Sequence, residues 1–231
     1  MSMISAQSVT KIYRKGGEEI RPLDNLSLEV AAGEFVCLMG PSGSGKTTLL
    51  NIVAGIDRPT SGRVMVNGDE VSAMSESALA SWRTRSIGYI FQLYNLIPVL
   101  TAWENVELPL LLLPLSKKER RKHVETALSA VGILDRKEHY PRQLSGGQEQ
   151  RVSIARAIVV DPRVIVADEP TGDLDAKTGE EILSLLATLK REFGKTLLMV
   201  THDPRAAEHA ERVVHLDNGV LAADEKTPEA E

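Results

Sequence analysis

The chain is short of several things, and each shortage excludes something. It has one cysteine, Cys37, among 231 residues, so there can be no internal disulfide framework, and a reducing compartment suits it. Cys37 lies within Phe35-Val-Cys-Leu-Met39 and reads as a small buried apolar residue, not a nucleophile. Long hydrophobic runs are missing: the longest nearly apolar stretch is 108–115, broken by Pro109 and Pro114, and a membrane-spanning helix needs about 20 such residues. The start lacks the basic stretch and apolar core of a secretory signal. Positive charge is also scarce. Lys and Arg number 27 against 32 Asp and Glu, a net charge of −5, whereas nucleic-acid binders usually show a basic surplus. What remains is ordinary for a globular chain, with 42% hydrophobic and 26% charged residues and no internal repeat.

Short apolar runs bounded by turn residues predict strands at 27–30, 34–39, 63–66, 87–91, 164–167, 196–201 and 212–216. Helical patterns fall between several of them, at 46–54, 75–85, 178–193 and 205–210. Buried strands alternating with helices point to an α/β fold with a largely parallel sheet covered on both faces. The region 93–159 holds only helical segments (102–108, 117–131 and 147–159) joined by Pro- and Gly-bearing loops, and reads as a helical insertion. The last residues, 224–231, read as a polar tail.

Two glycine-rich motifs stand about a hundred residues apart. The first, Gly40-Pro41-Ser42-Gly43-Ser44-Gly45-Lys46-Thr47-Thr48, fits the phosphate-cradling pattern G-x-x-x-x-G-K-[ST]. Apolar 35–39 feeds directly into it and a helix follows, which is the context that pattern requires. The glycines let backbone N–H groups converge on phosphate oxygens, and the helix adds its positive N-terminal end. Lys46 is expected to reach the β- and γ-phosphates, and Thr47 to ligate Mg²⁺.

Further on, Val164-Ile-Val-Ala-Asp168-Glu169 is an apolar strand ending in two carboxylates. Asp168 is expected to hold Mg²⁺ directly or through water, and Glu169 to polarise the attacking water as general base. The second glycine motif is Leu144-Ser145-Gly146-Gly147-Gln148. A serine and two glycines opening a helix make a second anion site, so one chain carries two phosphate-binding elements.

In these residues the sequence resembles the ATP-binding cassette (ABC) ATPases, whose signature motif residues 144–148 match in full. The likeness runs from Tyr13 to about Val220, and departs at Glu149, where the commoner residue is Gln. It implies a P-loop NTPase (RecA-like) core, 1–92 and 160–223, with a mostly parallel sheet, an N-terminal antiparallel β subdomain and the inserted helical subdomain 93–159. It also implies a head-to-tail homodimer on ATP binding, in which Ser145, Gly146, Gly147 and Gln148 complete the nucleotide site of the opposite subunit.

Other positions follow by the same resemblance. Tyr13 looks like the aromatic that stacks on adenine, or else a strand residue packed on the core. Gln92, ending Ile87-Gly-Tyr-Ile-Phe-Gln92, resembles the glutamine that senses Mg²⁺ and the attacking water. Asp175 resembles the acidic residue at the dimer interface, with a helix N-cap as its plainer reading. His202 resembles the switch histidine contacting the γ-phosphate. His123, His139, His209 and His215 show no metal-ligand spacing.

The stretch 93–110, together with Asp168-Glu-Pro-Thr-Gly-Asp-Leu-Asp175, is similar to the lipoprotein-releasing and macrolide-export subgroup (LolD/MacB type). That likeness implies a separate transmembrane permease as partner and a cytoplasmic, peripheral position on the inner face of the cell membrane. Leucine-rich 93–100 and 108–115 are the expected docking stretch, with Tyr94, Leu96 and Leu100 its expected reporters. A regulatory ATPase of an envelope machine shares every motif and stays open. A nucleic-acid-repair or translation ATPase does not fit a single cassette of net charge −5.

Overall fold

The computed structural model describes residues 2–226. The chain begins with β1 (Ser2–Lys15), β2 (Glu18–Ala31) and β3 (Phe35–Met39), then α1 (Lys46–Val53), β4 (Ser61–Val66) and β5 (Asp69–Glu70). Next come α2 (Glu76–Ser86), β6 (Ile87–Ile90), α3 (Ala102–Glu107), α4 (Lys117–Ala130) and α5 (Gly146–Ile158). The last third holds β7 (Val164–Asp168), α6 (Ala176–Phe193), β8 (Thr196–Val200), α7 (Pro204–Ala207), β9 (Arg212–Asp217) and β10 (Val220–Lys226).

Two sheets result. β2-β1-β4-β5 is antiparallel, and β10-β9-β3-β8-β7-β6 is parallel except for the β9–β10 pair. The middle strands of the second sheet are apolar on both faces because both are covered. On β3, Val36 and Leu38 face the core shared with the antiparallel sheet, α1 and α2. Phe35 and Cys37 face the core built with α3 to α6. Strands β7 and β8 divide in the same way, Val164, Val166, Leu198 and Val200 to one side, Ile165, Ala167, Leu197 and Met199 to the other. Cys37 is fully buried, and burial pushes its thiol up to about 12, which suits the packing role read from the sequence.

Parallel pairing aligns the strand ends. Asp168 is in register with Val200, and Leu38 also pairs with Val200, so the loops after β3, β7 and β8 emerge side by side. In open α/β sheets ligands bind at these carboxyl ends. Between β6 and β7 the chain is helical, and α3, α4 and α5 each start with a reciprocal capping box: Thr101 with Glu104, Ser116 with Glu119, and Ser145 with Gln148. A lost N-cap typically costs about 1 kcal/mol.

The structure departs from the sequence-based expectations in three places. β1 and the first half of β2 are paired strands, although only 27–30 reads as strand. Their alternation is broken by register shifts between Ala6 and Val9 and again before Lys11, with Ser8 and Asn25 at φ 50. Residues 224–226 are not tail but the end of β10, where Asp224 accepts two 2.6 Å hydrogen bonds from Arg212; residues 227–231 lie outside the described ones. The helix expected over 205–210 is confined to Pro204–Ala207.

Candidate functional site

The loop after β3 has its shape imposed by close backbone contacts. Gly45 sits at φ 102, and a β-carbon there would lie 2.1 Å from the Pro22 carbonyl oxygen. At Gly40, φ 147, it would meet the Leu216 carbonyl at the same distance. No L side chain fits either position. Lys46 opens α1 and is buried; its Nζ donates to the carbonyls of Gly40 and Pro41, 2.8 Å each, inside the curve of the loop. The loop is therefore closed around an ammonium group.

Across from it, Thr47 Oγ1 donates to Asp168 Oδ1 at 3.2 Å, which brings the strand-end carboxylate to the first turn of α1. Burial raises the Asp168 pKa, and the neighbouring Glu169 charge adds to that, while the Thr47 hydroxyl and Lys46 work against it. Glu169 adopts φ 45, its amide donates to Val200 O, and its Oε2 lies 3.0 Å from His202 Nδ1. A non-glycine residue at positive φ persists only where its surroundings over-determine it, and such residues cluster at functional sites.

Lys46, Thr47, Glu169 and His202 share one cavity of about 620 Å³, lined also by other residues of the 40–48 loop, Tyr13, Ile20 and Pro22. Tyr13 reaches it from β1 and is 41% exposed, so the strand-packing alternative does not describe its ring. Its hydroxyl donates to Asp57 Oδ2 at 2.5 Å, and Lys11 Nζ lies 4.7 Å from the ring centre while pairing with Asp57 at 2.6 Å. Burial and the Asp57 carboxylate together push the Tyr13 hydroxyl up to about 12. Burial works against the Asp57 charge, but the hydrogen bonds from Lys11 and Tyr13 outweigh it and hold that carboxyl below its usual value.

The remaining sequence-predicted residues stand outside this cavity. None of 144–148 lines it. Ser145 Oγ accepts from the Gln148 amide, and Gln148 Oε1 accepts from the Ser145 amide at 3.0 Å, so both close the start of α5. Gln92 lies against Gly172, where a β-carbon would be 3.1 Å from its Nε2. Among the described residues it makes no hydrogen bond to Thr47 or Asp168. Asp175 caps α6, accepting from the amides of Lys177 and Thr178 and from the Thr178 hydroxyl at 2.6 Å, and these bonds hold its carboxyl below the usual range. Sequence reasoning missed Ile20, Pro22 and Asp57. They carry no motif and reach the site only through the pairing of β1 with β2 and the loop after α1.

A glycine loop closed on a lysine, with a threonine, an aspartate and a glutamate converging on it, defines a nucleoside-triphosphate-binding ATPase. Known proteins narrow this further. A family model described as "ABC transporter" matches residues 23–172. An uncharacterised ABC transporter ATP-binding protein of Bacillus subtilis, YvrO, is 49% identical over 224 residues, 97% of each chain. The lipoprotein-releasing system ATP-binding protein LolD of Chromohalobacter salexigens is 45% identical over 222 residues, 96% of this chain and 94% of that one. The macrolide export ATP-binding/permease protein MacB of Brucella melitensis is 43% identical over 233 residues, 99% of this chain but 36% of that protein. A solved dimeric structure of the ATP-binding cassette MJ0796, in a post-hydrolysis state bound to ADP and Pi, superposes with TM-score 0.90 at 45% identity, covering 99% of this chain and 100% of that one. This chain belongs to the ABC transporter ATP-binding family, and it is an ATPase cassette whose relatives include LolD and MacB.

Proposed function

We propose that the chain is the ATP-hydrolysing subunit of an ABC transporter of the LolD/MacB type. It acts as an ATP-sandwich dimer that drives a separate transmembrane permease from a peripheral position on the inner face of the cell membrane. One observation carries the dimer: the cavity holds Lys46, Thr47, Glu169 and His202, with Asp168 bonded to Thr47 beside it, yet none of 144–148 lines it. A helix start shaped for an anion, standing apart from its own chain's phosphate site, is suited to a second copy's nucleotide. The dimeric state of the MJ0796 cassette supports the same reading.

Within one site the roles divide by chemistry. Lys46 exchanges its two carbonyl partners for phosphate oxygens. Glu169, at hydrogen-bond distance from His202, accepts the proton of the attacking water. Tyr13 offers its ring face to the base, and Gln92 and Asp175 act from the loops that meet beside Gly172. The donors present also fit Mg²⁺. Thr47 Oγ1 and Asp168 Oδ1 converge as hard oxygen ligands, and among the described residues no group of three or more His, Cys, Asp or Glu is placed to hold a metal. Such a two-oxygen set suits a cation that draws its other ligands from phosphates and water. When bound there, Mg²⁺ supplies charge neutralisation for the phosphates.

The dimer has a kinetic signature. The ATPase rate per chain should rise with protein concentration at low concentration, because each site borrows 145–148 from a second chain. A turnover series down to a verified monomer tests this, and a rate per chain that stays constant throughout defeats the sandwich reading.

Docking is expected at the loop after Gln92, with a revised set of reporters. Leu96 packs against the core and Leu110 is fully buried, so these leucines are fill. Asn105, also fully buried, ties the loop down through its side-chain bonds to Ile97, Leu100 and Thr101. The most exposed apolar residues of these stretches are Leu93, Val99 and Leu112, at 71%, 76% and 74%, with Ile97 and Leu111 also exposed. Exposed apolar patches usually mark binding sites. Leu93→Ser and Val99→Ser should leave basal hydrolysis intact and abolish stimulation by the co-expressed permease. Normal binding and stimulation in both would remove this loop as the docking surface. Among the described residues no helix is long and apolar enough to cross a membrane, so this reading takes the membrane-spanning part from the partner.

A further inference from the structure

We propose that Arg156 is a positioning residue. Its guanidinium locks the turn after Gln92 onto α5, so that the loop serving one nucleotide site and the 144–148 motif serving the other move as one body. This rests on the roles given above to Gln92 and to 145–148.

Tyr94 and Asn95 are consecutive non-glycine residues in the left-handed region, at φ 52 and φ 50. Single residues of this kind are uncommon, and a pair needs something to hold it. Arg156 supplies the hold: its Nη1 donates to the Asn95 carbonyl and its Nη2 to the Tyr94 carbonyl, both at 2.6 Å. The planar fork thus spans two successive carbonyls of a turn, a geometry that a lysine cannot reproduce. Burial works against the charge on Arg156, and the two carbonyl dipoles offset that penalty.

The same turn also touches the other end of the helix. The Tyr94 hydroxyl stands so near Gly146 that a β-carbon there would be 3.0 Å from it. Tyr94 therefore meets α5 at its first residue with its ring and near its last turn with its carbonyl. The C-terminal half of α5 is fixed in turn on β6, where a β-carbon at Gly88 would be 2.4 Å from the Ala157 carbonyl oxygen. β6 is the strand that leads to Gln92. Strand, turn and helix close a ring, and Arg156 is its polar link.

If the link is cut, 93–95 can relax toward ordinary backbone angles and α5 can shift against β6. The nucleotide cavity of a single chain contains none of these residues, so ATP affinity should hold while the assembled site suffers. A misplacement of about 1 Å far from the chemistry can cost about 10²-fold in rate.

The experiment uses the full chain with Arg156→Ala and Arg156→Lys. It measures affinity for a fluorescent ATP analogue, kcat at saturating ATP, and hydrogen exchange of the 93–95 amides. Arg156→Ala should keep wild-type nucleotide affinity, lose about tenfold or more in kcat, and exchange the turn amides about tenfold faster or more. Arg156→Lys should fall between the two. Wild-type kcat in Arg156→Ala overturns the proposal, and so does a loss of kcat with unchanged exchange. Should Arg156→Ala fold poorly, the lysine variant decides: full activity and slow exchange there also overturn the need for the fork. Ser145→Arg separates this from the sandwich reading. If that variant still hydrolyses ATP normally, the sandwich reading fails; if it is dead while Arg156→Ala is normal, the link alone fails.

Discussion

Glu169→Gln is expected to bind ATP like the parent chain and to hydrolyse it about 10²–10⁴-fold more slowly, the usual cost of removing a general base. The amide keeps the shape of the carboxylate and can still accept a hydrogen bond from His202, but it cannot take the proton of the attacking water. Everything that grips the phosphates remains: Lys46 within the loop, and Thr47 beside Asp168. The strained backbone at residue 169 is also retained, since glutamine meets the same constraint at φ 45. An ATP-bound dimer should accumulate, visible as a shift in size-exclusion elution when ATP is present. Single-turnover hydrolysis decides the matter. Near-normal turnover in this variant moves the base elsewhere, and His202, 3.0 Å from the carboxylate, is the next candidate.

Lys46→Ala should fail a step earlier, at binding. A hydrogen bond to a charged group contributes about 1.5–3 kcal/mol. An ammonium shared between two phosphates supplies two, so affinity should drop by about two orders of magnitude or more. The loop itself is a second consideration, because the same ammonium bridges the carbonyls of Gly40 and Pro41. Lys46→Met separates the two effects by keeping the stem and removing the donors. Equilibrium binding of a fluorescent ATP analogue to both variants is the measurement. If methionine binds as tightly as lysine, the charge is not what holds the nucleotide.

How far the sequence reveals this molecule depends on where each instruction is written. The parallel core is legible because β3, β7 and β8 are buried on both faces and so read as unbroken apolar runs ending at the site. Lys46, Thr47, Asp168 and Glu169 are legible for a related reason: each sits at a fixed step after such a run. The hairpin of β1 and β2 is not, since its bulges at 6–11 shift the alternation that would announce it. Ile20 and Pro22 escape because only the pairing of β1 with β2 brings them to the cavity, and Asp57 because it meets Tyr13 from the loop after α1. The leucines of 93–115 mislead differently. Composition counts them, but only packing tells Leu96 and Leu110, which fill the interior, from Leu93, Val99 and Leu112, which do not. For Asp175 the sequence leaves two readings, a dimer-interface acid by resemblance or a helix N-cap, and the structure shows the cap.

The hydroxyl of Tyr13 is already engaged by Asp57, and Lys11 holds that carboxylate from the other side. In the proposed site what the ring has left to offer a nucleobase is its π-face, and every base has one. Neither of its neighbours along this side of the cavity, Ile20 and Pro22, carries a side-chain donor or acceptor for the edge of a purine. In that site discrimination between substrates then falls to the phosphate side of the same cavity, where the 40–48 loop, Glu169 and His202 stand. On this reading the site distinguishes nucleotides by their phosphates more than by adenine against guanine.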